Sequence, residues 1–130
     1  KCHVTLSLTG GAAYVTGVPA LLSEMLYNLC DNAIKYNVDG GSVRVDIAQS
    51  TAETVLTVSD TGIGIPYAHQ SRVFERFYRV DKSHSRQSGG TGLGLSIVKH
   101  AVQYLGGRIE LESQPGKGTT MRVHFPDGNV

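Results

Sequence analysis

Hydrophobic residues repeat at three- and four-residue steps in two stretches of the chain, which is the spacing of an amphipathic α-helix. The longer stretch begins after Pro19, a residue suited to the first turn of a helix, and ends at Asn37 and Gly40. The shorter stretch runs from about Leu93 to Leu105. We therefore predict two helices. Their apolar stripes are Leu22, Met25, Leu26, Leu29, Ala33 and Ile34 in the first and Leu93, Ile97, Ala101 and Leu105 in the second.

Alternating apolar and polar residues, the period of a β-strand, predict most of the remaining structure. Residues 4–8 and 13–16 flank two glycines and are predicted to pair as a hairpin. Later strands are predicted at 42–48, 54–59, 108–113 and 119–125. In the second of these strands the alternation favours Val55 as a buried residue, with Leu56 and Val58 as further candidates.

These elements define an α+β fold, a two-layer α/β sandwich with a mixed, mostly antiparallel sheet and both helices on one face. A length of 130 residues and an apolar content of 40% suit a single domain with a real core. We therefore expect residues 1–130 to form one domain. Residues 81–90 contain no apolar side chain and are rich in serine and glycine, which predicts a mobile loop.

Charge and composition argue against several classes of function. The 12 basic and 11 acidic residues give a formal charge of +1, so the domain as a whole does not attract nucleic acid or an anionic membrane. We expect contact with neither. No apolar run approaches the roughly 20 residues that cross a bilayer. Cys2 and Cys30 lie far apart without metal-binding spacing, which favours reduced thiols and a cytoplasmic location.

The polar face of the first predicted helix contains two amides four positions apart. A rotation of about 100° per residue gathers polar side chains in one arc opposite the leucine stripe, namely Glu24, Asn28, Asp31, Asn32 and Lys35. Asparagine is a poor residue for a helix interior, so this pair favours a functional role over an ordinary solvated face. A carboxamide oxygen is also a suitable ligand for Mg²⁺.

Two glycine-rich segments are suited to bind a nucleotide. Asp60 ends a predicted strand, and Gly62 and Gly64 after it allow the backbone to approach a flat ligand closely. The segment Gly90-Thr-Gly-Leu-Gly94 leads into the second helix, whose N-terminus favours a bound anion. Its spacing is not that of a Walker loop, because no Gly-Lys-Ser/Thr follows. For the Asp60-Thr-Gly62 segment taken alone, an ordinary turn is the alternative.

Four segments occur in a definite order: Asn28-Leu-Cys-Asp-Asn32-Ala-Ile-Lys35-Tyr36, Asp60-Thr-Gly62-Ile-Gly64-Ile-Pro66, Phe74-Glu-Arg76-Phe77-Tyr-Arg79 and Gly90-Thr-Gly92-Leu-Gly94-Leu95. Their order and spacing resemble the N, G1, F and G2 boxes of sensor histidine kinases. The resemblance to the catalytic and ATP-binding domain of that family covers about residues 4–126. It implies the fold shared with gyrase-type and chaperone-type ATPases, ATP and Mg²⁺ as ligands, and an ATP lid at about 79–92.

The resemblance also implies a role for each matching residue. Asn32 is the implied Mg²⁺ ligand with Asn28 beside it, and Lys35 and Arg79 are implied to contact phosphates. Asp60 is implied to accept a hydrogen bond from the exocyclic amine of adenine. The implied nucleotide site also includes Tyr36, Gly62, Gly64, Ile65, Gly90, Thr91, Gly92, Leu93, Gly94, Leu95 and Thr120.

Gyrase-type relatives of this fold have a glutamate base at the position of Asn28, and an amide cannot take a proton. The resemblance therefore implies transfer of the γ-phosphoryl group to a histidine, with hydrolysis as a side reaction. None of the five histidines has the sequence context of an acceptor, including His84. We expect the acceptor on a separate histidine-bearing dimerisation domain and a response regulator as an indirect partner. The isolated domain is expected to be a monomer.

Other proteins that share this fold remain alternatives. One is a serine kinase that inhibits a sigma factor, which the segment at 74–79 argues against. Another is a gyrase-type or chaperone-type ATPase, which Asn28 argues against. A third is a nucleotide-binding regulator without activity, although every segment is intact. We expect a cytoplasmic domain whose parent protein is anchored in the bacterial cell membrane.

Overall fold

The computed structural model describes residues 5–10, 19–50, 52–76, 78 and 94–126. Both predicted helices and the four later strands are confirmed, and their bounds agree with the predicted ones within two residues. The elements are β1 (Thr5–Gly10), α1 (Pro19–Lys35), β2 (Ser42–Gln49), β3 (Glu53–Asp60), a 3₁₀ helix (Tyr67–His69), α2 (Gly94–Tyr104), β4 (Arg108–Gln114) and β5 (Gly118–Pro126).

The described strands form one sheet in the order β1-β2-β3-β5-β4. β1 runs parallel to β2, and the other neighbouring pairs are antiparallel. A parallel pair needs a long crossover connection, and α1 lies in the connection between β1 and β2. The prediction of a mixed, mostly antiparallel sheet is therefore confirmed. The predicted hairpin partner of the first strand, at 13–16, lies outside the described residues.

A layer of hydrophobic side chains joins the helices to one face of this sheet. Met25 and Leu29 of α1 and Val98 of α2 are almost completely buried in it. The two helices also contact each other. Both therefore lie on the same face, as predicted. The other buried members of this core are Ala33, Val43, Val45, Leu56, Val58, Ala101, Val102, Met121, Val123 and Phe125.

The face of β3 that turns toward the core differs from the one that the alternation favoured. Leu56 and Val58 are 7% and 3% exposed, whereas Val55 is only half-buried, so the choice of Val55 was wrong. Register gives the reason, because Leu56 lies opposite Val123, which is completely buried. Since side chains alternate along a strand, Asp60 at the end of β3 shares the core-facing side with Leu56 and Val58.

The buried side of α2 is rotated relative to the predicted stripe. Val98, Ala101 and Val102 are buried, while Ile97 is half-buried and Leu93 lies outside the described residues. The spacing of the three buried residues is that of a single helix face turned toward the core. Within the described part of the chain, neither helix has the length and hydropathy needed to cross a bilayer.

The segment at 66–76 consists of a 3₁₀ helix followed by turns. Successive backbone hydrogen bonds in it join residues three positions apart. Phe74 packs against the core, and Val73, which is 7% exposed, is a further anchor. Phe77, the other phenylalanine of this segment, lies outside the described residues.

The face of the sheet opposite the helices has a network of charged side chains. His124 of β5 lies between two carboxylates, with Nδ1 3.2 Å from Glu53 Oε1 and Nε2 2.8 Å from Glu110 Oε1. Further along β5, Arg122 Nη1 donates to Glu112 Oε1 at 2.9 Å. These contacts link β3, β5 and β4 across their solvent-facing side.

The contact between Glu110 and His124 predicts a loss of stability in acid. The hydrogen bond with His124 lowers the pKa of Glu110, so the ionised carboxylate stabilises the fold above its unfolded-state pKa of about 4.3. This contribution disappears as the pH falls through the lower pKa of the folded state. We expect Glu110→Gln to reduce the change in unfolding free energy between about pH 7 and about pH 3, measured by urea denaturation. Equal pH dependence in the two proteins would contradict this expectation.

Candidate functional site

Polar residues from distant parts of the sequence meet in a depression between α1 and the sheet. Asn32 of α1, Asp60 at the end of β3 and Thr119 at the start of β5 line it. The depression has a volume of about 190 Å³, including its open mouth. An apolar wall with a few convergent polar groups is typical of a small-molecule site. The apolar lining residues are Leu29, Ala33, Val58 and Met121.

The Asp60 carboxylate is held by backbone amides at the edge of this depression. Its Oδ1 accepts hydrogen bonds from Gly62 N at 2.8 Å and from Thr119 N at 3.3 Å. Burial raises the pKa of Asp60, and the two backbone hydrogen bonds partly offset that effect. Among the described residues, both hydrogen bonds to this side chain reach Oδ1. The second oxygen is therefore able to accept a hydrogen bond from a ligand.

The loop after Asp60 passes between the end of α1 and the turn that joins β4 to β5. A Cβ added to Gly62 would lie 2.2 Å from Tyr36 O, so any larger residue would displace the loop. Gly64 has a φ of 74°, and its added Cβ would lie 2.2 Å from Gln114 O. Both glycines are therefore required by the close approach of other backbone segments. The close approach to a flat ligand that the sequence indicated stays a prediction. Tyr36, also a predicted site residue, is half-buried beside this loop.

Hydrogen bonds with two side chains from other parts of the structure hold this loop in place. Ile65 N donates to Ser113 Oγ of β4 at 2.8 Å. Gln70 Nε2 donates to Ile65 O at 2.9 Å and to Ser113 O at 3.1 Å. Neither Ser113 nor Gln70 was predicted from the sequence as a site residue. The sequence did indicate that Ser113 is buried, because it follows Ile109 and Leu111, which face the core, at two-residue steps along β4. A polar side chain in such a position needs a hydrogen-bond partner.

The structure places Thr120 on the wrong face of the sheet for a residue of this pocket. Thr120 Oγ1 lies 3.1 Å from Ser59 Oγ, on the side opposite the core. Its neighbour Thr119 is 8% exposed and lines the pocket beside Asp60. The threonine at this site is therefore Thr119. The sequence contained the signal, since Thr119 continues the apolar phase of Met121, Val123 and Phe125.

The polar face of α1 borders the start of α2. Asn28 Nδ2 donates to Glu24 O at 2.8 Å, which directs the amide oxygen outward from the helix. Asn28 Oδ1 lies 3.3 Å from the position that a Cβ on Gly94 would occupy. Gly94 is the first residue of α2, where the helix dipole favours an anion. Asn28 and the start of α2 therefore adjoin Asn32, which lines the depression, along one polar surface, here called the cleft.

Lys35 lies at the rim of the same face, paired with Asp31 on the preceding turn. The distance from Lys35 Nζ to Asp31 Oδ2 is 3.0 Å, and each side chain is 31% exposed. An exposed pair with this spacing contributes about 0.3–0.5 kcal/mol.

The predicted phosphate-binding segment is described from Gly94 onward. α2 begins at Gly94, in agreement with the prediction that this segment leads into a helix, and Leu95 packs against the core. The remaining predicted site residues of this part of the chain, with the lid predicted at 79–92, lie outside the described residues. They are Arg79, Gly90, Thr91, Gly92 and Leu93.

Comparison with known proteins gives the family. Residues 17–129 match the family of histidine kinase-, DNA gyrase B-, and HSP90-like ATPases. The chain is 46% identical over 113 residues to the sensor-like histidine kinase SenX3 of Mycolicibacterium smegmatis, an alignment that covers 87% of this chain and 29% of that protein. It is 44% identical over 119 residues to the phosphate regulon sensor protein PhoR of Pseudomonas aeruginosa, covering 92% of this chain and 27% of PhoR.

A solved structure agrees with the sequence relatives. The mycobacterial sensor histidine kinase MprB superposes with a TM-score of 0.82 at 32% identity, covering 95% of this chain and 83% of the other. The chain therefore belongs to the histidine kinase-, DNA gyrase B- and HSP90-like ATPases, and the resemblance to the catalytic and ATP-binding domain of sensor histidine kinases is confirmed. It spans 27–29% of the length of SenX3 and PhoR.

Proposed function

We propose that the chain binds ATP with Mg²⁺ and transfers the γ-phosphoryl group to a histidine on a separate domain of the same sensor kinase. One observation supports this proposal above the others. Asn32 and Asp60, the implied ligands of the metal and of adenine, come from different elements and line a single pocket. Membership of an ATPase family supports a nucleotide as the ligand.

The depression offers an adenine ring an apolar wall and a hydrogen-bond acceptor. Asp60 Oδ2 would accept from the exocyclic amine, and the apolar lining from Leu29 and Met121 suits the flat faces of the ring. The volume of about 190 Å³ includes the open mouth, so the base would lie in an open depression. The ribose and phosphates would then extend along the cleft toward α2.

The other end of the cleft fits a metal-bound triphosphate. Asn28 and Asn32 offer neutral amide oxygens, and Lys35 offers a point charge at the rim. The N-terminus of α2, beside Asn28, adds the positive end of a helix dipole. When bound, Mg²⁺ would supply neutralisation of the phosphate charge.

Asn28 favours phosphoryl transfer over hydrolysis. Its amide nitrogen donates to Glu24 O, so the side chain presents a carbonyl oxygen to the cleft. An amide oxygen is not a base at neutral pH and does not activate water. Phosphoryl transfer depends mainly on positioning and charge neutralisation, so an acceptor that is already nucleophilic, such as imidazole, needs no base at this position.

We further propose that residues 1–130 act as one catalytic unit and that the acceptor histidine lies on a dimerisation domain elsewhere in the parent protein. A response regulator would then receive the phosphoryl group from that histidine. The relatives support this arrangement, because SenX3 and PhoR are named as sensor proteins and are several times longer than the matching region. The proposed location is the cytoplasmic side of a membrane-anchored parent.

Asn32→Ala tests the metal end of the proposed site. We expect it to weaken binding of Mg-ATP by at least about tenfold, because the variant lacks the implied metal ligand. Binding of ATP without Mg²⁺ should change much less, since Asp60 is untouched. Calorimetric titrations with and without Mg²⁺ measure both affinities. In the wild type, ATP at 100 times its Kd should stabilise the fold by about 2.7 kcal/mol.

Gln103→Ala is the matched control, because it removes an exposed amide from the other helix. It should leave both affinities unchanged. An equal loss with and without Mg²⁺ in Asn32→Ala would give Asn32 a packing role instead. No stabilisation of the folded wild type by Mg-ATP would contradict the nucleotide site itself.

A further inference from the structure

Ser113 has a buried hydroxyl with three polar neighbours behind the pocket. It is 8% exposed and lies on the core-facing side of β4. Its Oγ is 2.8 Å from Ile65 N, 2.9 Å from Gly118 O and 2.9 Å from Thr119 Oγ1. A serine hydroxyl has one hydrogen to donate and two lone pairs with which to accept. The three contacts therefore use its full hydrogen-bonding capacity.

The chemistry of the neighbours decides the direction of each hydrogen bond. Ile65 N–H can only donate, so it occupies one lone pair of Ser113 Oγ, and Gly118 O can only accept, so it takes the hydroxyl hydrogen. The second lone pair is left for Thr119, whose hydroxyl must donate to it. With its hydrogen turned toward Ser113, Thr119 Oγ1 presents lone pairs to the pocket that Thr119 lines.

We propose that Ser113 is a positioning residue that determines base specificity by fixing the Thr119 hydroxyl as an acceptor toward the pocket. Thr119 and Asp60 then form a wall that offers only acceptors. The assignment rests on the proposed nucleotide function of this site. Where this wall faces the exocyclic position of the base, it favours an amine, which offers hydrogens, over an oxygen, which offers only lone pairs.

The test compares binding of ATP with binding of inosine triphosphate, in which an oxygen replaces the amine and N1 carries a hydrogen. Ser113→Ala should release the Thr119 hydroxyl, which can then turn and donate to that oxygen. The ratio of the two dissociation constants, inosine triphosphate over ATP, is expected to fall about five- to tenfold, the worth of one hydrogen bond. Ser59→Ala removes a serine hydroxyl from a similar serine–threonine pair on the opposite face of the sheet and should keep the wild-type ratio. Calorimetry on the 130-residue chain measures each constant.

A double-mutant cycle shows whether Ser113 acts through Thr119. Thr119→Val has no hydroxyl to release, so adding Ser113→Ala to it should leave the ratio unchanged. Ser113→Ala also leaves Ile65 N–H and Gly118 O without their partner. If that variant does not fold, Ser113→Cys takes its place with the same expected direction, because a thiol of similar size is a weaker acceptor.

A purely structural role of Ser113 would weaken both nucleotides alike. An unchanged ratio in a folded Ser113 variant would therefore overturn the assignment, and so would a fall that persists in the Thr119→Val background. Failure of the wild-type chain to bind ATP would overturn the proposed function instead. The wild-type titration distinguishes these two failures.

Discussion

Asp60→Asn is expected to weaken ATP binding by about 1–3 kcal/mol, or roughly 5- to 150-fold in Kd. The substitution keeps the size of the side chain and an oxygen that can still accept from Gly62 N and Thr119 N. It replaces the second oxygen with a nitrogen, which presents hydrogens to the adenine amine where an acceptor is required. Calorimetric titration with ATP measures the loss.

Asp46→Asn makes the same chemical change on β2, where Asp46 alternates with the buried Val43 and Val45 and so faces the other side of the sheet. It should leave the affinity unchanged. Equal affinity of Asp60→Asn and the wild type would remove Asp60 from the base pocket.

The pH dependence of ATP binding gives a second test of the role of Asp60. Burial raises the pKa of Asp60, so the acceptor is lost to protonation at a higher pH than for an ordinary aspartate. Wild-type affinity should therefore fall as the pH drops through this raised value. Asp60→Asn has no such titration, and comparing the two proteins cancels the titration of the nucleotide itself. Parallel pH profiles would show that Asp60 does not titrate in the binding step.

The hydrophobic periodicity of the sequence predicted the placement of residues within a single helix or strand, where the repeat of the element fixes the direction of each side chain. Once Met25 and Leu29 face the core, the helical repeat fixes Asn28 and Asn32 on the adjoining polar flank, as the structure shows. The end of β3 was predicted in the same way, and Asp60 lies there. These placements depend on local geometry alone.

Strand phase was predicted less well where two adjacent residues both suited the core. Val55 and Leu56 are both apolar, and the pairing of Leu56 with Val123 in another strand decides between them. Thr119 and Thr120 are chemically identical, so only the phase of β5 separates the pocket-lining residue from the one on the opposite face. In both cases the deciding information is the register of the sheet.

The hydrogen bonds that hold the loop at 60–66 in place could not be predicted from the local sequence. Gln70 belongs to no recognisable pattern, and the strand phase of Ser113 indicates a buried position but not its partners. Hydrogen bonds of this kind depend on the packing of several elements at once. The glycines at 62 and 64 indicated a close approach to a ligand, and their close contacts with the backbone at Tyr36 and Gln114 were not predicted.

Incubated alone with γ-labelled ATP, the chain is expected to stay unlabelled, whereas adding the histidine-bearing domain of its parent should place the label on that domain. The reason is positional, because phosphoryl transfer requires an acceptor held in line with the γ-phosphate. Of the histidines that the structure describes, His69 is in the 3₁₀ helix and His124 lies between two carboxylates on the far face of the sheet. His100 is exposed on α2. None of these three lines the proposed pocket.

The chemical stability of the product distinguishes the histidine kinase from the serine kinase that shares its fold. Phosphohistidine is lost in acid and survives base, whereas phosphoserine survives acid. We therefore expect the label on the partner domain to be released by acid, and Asp60→Asn to lower the rate of labelling through its weaker ATP binding. A partner whose acceptor histidine is changed to glutamine is the control and should stay unlabelled. Label on this chain alone, or acid-stable label on the partner, would contradict transfer to a histidine of a separate domain.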